Sequence, residues 1–126
     1  MFPYIFAAII AYVVYELLRL TFRWLTAHHL STHALSFTRE DRTLPHALLV
    51  LGDSTVFGVG ASKPAQSFAG LLGSALPSYS IWNRGVIALS SADLPAVIES
   101  LPPTHPPFDA IIIIIGGIDI LRLTPL

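Results

Sequence analysis

The sequence predicts an α/β fold in which a parallel sheet carries helices on both faces, a three-layer arrangement set behind an N-terminal membrane helix. Three observations predict it. Residues 2–15 hold no charged side chain; short unbroken apolar runs occur at Ala47–Leu51 and Ile111–Ile115; and apolar stripes at helical spacing lie between them. Runs of that length suit strands covered on both faces of a parallel sheet. Their alternation with helices calls for right-handed crossovers.

The first element is the apolar segment, residues 1–25. Beyond Tyr15 it is extended by Leu17, Leu18, Leu20, Phe22, Trp24 and Leu25, enough for a helix to cross a bilayer. Glu16, Arg19 and Arg23 follow at i, i+3 and i+7, one helix face on which Glu16 and Arg19 pair and the arginines snorkel toward headgroups. A buried amphipathic helix of the domain itself is the alternative. A cleaved signal peptide fits less well, because the basic residues follow the apolar run. Their position predicts a single-pass protein whose soluble part is cytoplasmic.

Residues 26–46 lose apolar periodicity and read as a polar linker. Ala47–Leu51, closed by Gly52, is the first strand. Phe68, Leu71, Leu72 and Leu76 mark a helix, and Tyr79–Trp82 is the next strand. Leu94, Val97, Ile98 and Leu101 mark a second helix, which Pro102 and Pro103 end. Asp109–Ile115 is the strongest strand: five consecutive isoleucines, stiff at χ1, favour a central strand covered on both sides. With the first strand central, three loops gather at the carboxyl edge of the sheet, where open α/β folds bind ligands: 52–54, 83–85 and 116–119.

Composition narrows the function. The net charge of −1 shows no Lys/Arg cluster of the kind that binds nucleic acid. Without cysteine there is no disulfide framework, thiolate zinc site or cysteine nucleophile. Gly58-x-Gly60 lacks the third glycine and the downstream acid of a dinucleotide fingerprint, and no Gly-Lys-Ser or Gly-Lys-Thr marks a P-loop. His28, His29 and His33 lack an accompanying Cys or carboxylate cluster, so no metal site is expected.

The chemistry sits in Gly52-Asp53-Ser54, where a serine follows a buried strand and precedes a helix. Glycines at 52, 58 and 60 let the backbone turn tightly and approach a substrate. Read alone, such a serine is a turn or cap residue. The stretch resembles the first block of the SGNH (GDSL-like) hydrolases, and two more blocks follow in order. Asn83-Arg84-Gly85-Val86 resembles the second, with Ala88 where many members have a further glycine. Gly116-Gly117-Ile118-Asp119 resembles the third, Gly-x-Asn-Asp, with isoleucine replacing the asparagine.

The resemblance implies a flavodoxin-like three-layer fold and an ester hydrolase of esterase or lysophospholipase type. In it Ser54 is the nucleophile, the Ser54 and Gly85 amides form the oxyanion hole, and Asp53, Asn83, Gly117 and Asp119 brace the loops. No cofactor is implied, since acyl transfer to serine and then water needs none. The partners are the bilayer and an ester, a lipid ester included. Ile118 has no side-chain donor, and the family's late Asp-x-x-His pair has no counterpart. Residues 47–126 are therefore expected to be a partial, truncated hydrolase domain. The alternative is a non-catalytic membrane-bound remnant or fragment of such an enzyme.

Overall fold

A computed structural model describes residues 2–122; Met1 and residues 123–126, parts of the expected membrane segment and hydrolase-like region, lie outside the described residues. The chain divides after Thr32 into two units.

The first unit is helix α1 (Phe2–Thr32), 31 residues and so about 46 Å of helix against a hydrocarbon core of about 30 Å. It is long and apolar enough to cross a membrane. The Glu16–Arg19 pair forms at 2.9 Å. The helix also runs past residue 25, where a linker was expected to begin. Its hydroxyl residues turn inward on the helix: Thr26 Oγ1 donates to the Phe22 carbonyl, and Ser31 and Thr32 donate to that of His28. Such back-bonding lets a polar stretch stay helical although it lacks an apolar stripe.

The second unit is a mixed α/β domain around three parallel strands in the order β2-β1-β3. In chain order its elements are β1 (His46–Gly52), α2 (Ser54–Phe57), α3 (Phe68–Ala75), β2 (Tyr79–Gly85), α4 (Leu94–Glu99), β3 (Ala110–Ile114) and α5 (Gly117–Arg122). β1 is central and buried from its second residue onward. Its side chains alternate between two cores. Leu48 and Val50 pack with Val56, Ala69 and Ile81, joined by Phe68 and Leu72 of the α3 side. Leu49 and Leu51 pack with Trp82 beneath Leu94, Val97 and Leu101 of the α4 side. Each leucine of β1 buried in one of these cores contributes about 1.5–3 kcal/mol.

Two expectations change. β3 takes the edge that a three-stranded sheet centred on β1 leaves to it, but it is not covered on both sides: Ile112 and Ile114 join the α3-side core, while Ile111 and Ile113 are 57% and 51% exposed. β1 already has both neighbours, and α4 covers β1 and Trp82 but not β3. The isoleucine run fixes a strand; it does not fix how many faces are covered.

The stretch after α1 is also more than a linker. Arg39 pairs antiparallel with Ile81 on the outer edge of β2, its N–H donating to the Ile81 carbonyl at 2.9 Å and its carbonyl accepting at 2.8 Å. Phe37 packs into the α3-side core. The Arg39 guanidinium donates to the carbonyls of Gly73, Leu76 and Tyr79, tying off the end of α3 and the turn into β2.

Candidate active site

Gly52, the last residue of β1, pairs with Gly85 on one side and Ile114 on the other, so all three strands end level. At Gly52 φ is +155°, and a Cβ there would collide with the Ile114 carbonyl. Glycine is needed for that close approach. The next amide, Asp53 N–H, donates to the same carbonyl at 3.1 Å. The chain then turns into α2, capped by the Asp53 carboxylate, which accepts from the Thr55 amide at 3.0 Å. Ser54 is thereby set at the start of α2, partly exposed at the carboxyl edge. Among the described residues neither its amide nor its hydroxyl has a hydrogen-bond partner.

The second loop is organised by Asn83, which is buried with both amide atoms bonded. Its Nδ2 donates to the carbonyls of Val56 and Phe37 at 2.9 and 3.0 Å, and its Oδ1 accepts from the Gly85 amide at 2.8 Å. Asn83 therefore joins α2, the segment before β1 and the end of β2. A Cβ on Gly85 would strike the Phe57 backbone, so this glycine permits loop and helix to touch. Val86 N–H then donates to the Gly52 carbonyl at 2.9 Å. In this arrangement the Gly85 amide is spent on Asn83, while the Ser54 amide is unspent.

The third loop closes the group. A Cβ at Gly117 would lie 3.3 Å from Asp53 Oδ2, which places this loop beside the α2 cap. Asp119, 7% exposed, accepts from the Ser91 amide with both oxygens at 3.1 and 3.0 Å, and from the Ser91 hydroxyl at 3.0 Å. The loops after β2 and β3 are clasped together this way. Ser91 had no signal in the sequence, because a serine in a Ser-Ser-Ala-Asp stretch reads as an ordinary turn or cap residue. Ile118 lies half-buried between Gly117 and Asp119 and donates nothing from its side chain.

The edge thus gathers Asp53, Ser54, Asn83, Gly85, Gly117 and Asp119, the six residues singled out in the sequence. Histidines 46 and 105 are elsewhere. His46 opens β1 and Ser54 follows its other end, a separation of about 20 Å along the seven-residue strand. His105 lies in the connection leading into β3, at the same far edge, with its Nδ1 against the Pro106 carbonyl. At that edge the Ala47 amide donates to Asp109 and holds its carboxyl below the usual carboxylate value, with His46 adding to the effect. The described residues contain no cluster of three or more His, Cys, Asp or Glu able to hold a metal.

Compared with known proteins, the chain matches no family model, no curated protein and no solved structure.

Proposed function

We propose that the domain carries a serine-nucleophile ester-hydrolase site of the SGNH type, held at a membrane by α1 with the domain on the cytoplasmic side. One observation supports the reading most: Gly52-Asp53-Ser54, Asn83-x-Gly85 and Gly116-Gly117-x-Asp119 are far apart in sequence, yet their loops interlock at the carboxyl edge of one parallel sheet. Ala88 adds to this. It sits at φ +61°, a backbone state suited to the glycine that the resemblance expects there. In the proposed chemistry Ser54 Oγ gives its proton to a base and attacks the ester carbonyl, the Ser54 amide faces the oxyanion, the alcohol leaves with that proton, and water then hydrolyses the acyl-serine to the free acid.

A second reading, a non-catalytic descendant of such a site, has its own support. The Gly85 amide is engaged by Asn83, Ile118 offers no donor, and His46 and His105 are at the wrong edge to take the Ser54 proton. Loss of one oxyanion donor costs about 10²–10³ in turnover, and an unactivated serine loses most of the remaining advantage. This chain is therefore predicted to hydrolyse short-chain esters no faster than Ser54→Ala, with Ile118→Asn restoring nothing by itself. A chain extended by an Asp-x-x-His segment should gain Ser54-dependent turnover, and Ile118→Asn should raise it by about that factor. Ser54-dependent turnover in the unextended chain would refute the second reading.

A further inference from the structure

Residues Val86–Leu89 form a turn, closed by Leu89 N–H donating to the Val86 carbonyl at 3.3 Å. Surface turns are ordinarily built from Gly, Pro, Asn, Asp and Ser, which supply the backbone angles and satisfy their own polar groups. This turn is Val-Ile-Ala-Leu. Val86 and Ile87 are 42% and 38% exposed, while Leu89 is buried. Ala88 holds a left-handed conformation in which a β-carbon is strained. Both ends are fixed: the Val86 amide is bonded to Gly52, two residues before Ser54, and Ser91 is clasped by Asp119. The result is a rigid apolar rim beside the nucleophile loop.

We propose that this turn is the acyl-binding wall of the site, taking the hydrocarbon chain of a medium-chain ester against Val86 and Ile87. The proposal rests on the ester-hydrolase reading for the identity of the ligand. The occupant follows from the neighbour: an ester carbonyl at Ser54 must lay its acyl substituent on an adjoining surface. The Val86–Gly52 bond makes this turn continuous with the nucleophile loop. Every methylene moved from water onto apolar surface tightens binding by about two- to fourfold, so chain length is the variable the wall should read.

The test is photolabelling of the full chain in mild detergent with a diazirine-bearing octanoyl methyl ester, with the labelled peptide mapped by mass spectrometry. Label is expected on Val86–Ile87. Methyl octanoate should compete at least tenfold more strongly than methyl acetate, and Ile87→Ser should reduce the label several-fold while Ile87→Val retains it. Circular dichroism shows whether the serine variant is folded. Retention of the label in Ser54→Ala supports the wall independently of turnover, so a failed hydrolysis assay and a failed wall are separate results. Label confined to α1 or to the isoleucines of β3, equal competition by the two esters, or full labelling of folded Ile87→Ser would each overturn the proposal.

Discussion

Replacing Arg39 with alanine tests whether the stretch before β1 is part of the fold. The guanidinium serves three backbone carbonyls, Gly73, Leu76 and Tyr79, at 3.0, 2.8 and 3.2 Å. The first two belong to the end of α3, where carbonyls have no partner within the helix. Hydrogen bonds from a charged donor contribute about 1.5–3 kcal/mol each when desolvated, but Arg39 is half-exposed and water can replace part of what is lost. About 1 kcal/mol per carbonyl is the reasonable discount, hence about 3 kcal/mol for Arg39→Ala. Arg39→Lys should recover about a third of this, since an ammonium is a point donor and cannot span the three carbonyls as a planar fork does. The assay is urea unfolding in mild detergent followed by Trp82 fluorescence, in a Trp24→Phe background so that a single buried indole reports on the domain. A loss below about 0.5 kcal/mol, the range of ordinary surface substitutions, would refute the claim.

Three further outcomes are expected. Ala88→Gly should stabilise the domain by about 0.5–1 kcal/mol, the relief of left-handed strain less the added chain entropy of glycine, read by the same unfolding assay. Gly52→Ala should cost about 3 kcal/mol or more, because its Cβ meets the Ile114 carbonyl at positive φ; soluble, normally folded protein would contradict the described approach of β1 and β3. Asp109 has a depressed pKa in the fold, so its contribution is present above the ordinary value of 3.8 and fades as pH falls through the lower folded value. Carboxyl-carbon NMR should show Asp109 titrating below 3.8, and Ala47→Pro, which removes the donating amide, should move it upward.

The sequence was most legible where one residue type repeats a local preference. Ile111–Ile115 can hardly be other than a strand, and Ala47–Leu51 closed by Gly52 marks both the strand and its turn. The site residues were legible because each lies in a short block whose spacing to a strand end is fixed. Longer-range bonds left no trace. Arg39 stands among threonine, glutamate and aspartate in a stretch with no apolar period, and its role depends on carbonyls 34 to 40 residues away. The continuation of α1 to Thr32 was hidden for a related reason: hydroxyls bonded to helical carbonyls look, in sequence, like a loop. The engagement of the Gly85 amide by Asn83 was invisible as well, since spacing alone does not say which acceptor a backbone amide meets. The coverage of β3 depended on where α4 packs, and the isoleucines carry no information about that.

The docked stretch Phe37–Arg39 has a mechanical meaning. Any pull transmitted along the chain from α1 meets these residues before it meets β1, and what resists first is the Phe37 carbonyl on Asn83, the backbone pair with Ile81, and the Arg39 guanidinium. Residues 40–45 follow before His46, tied by Glu40 to Arg84 at 2.7 Å and by Arg42 to Thr104 at 3.2 Å. The stretch stands in series with the central strand and lies ahead of it along the chain. Because the same Asn83 amide group holds Phe37 with one atom and Gly85 with another, tension on the tether would register in the loop beside Ser54 before the sheet yields.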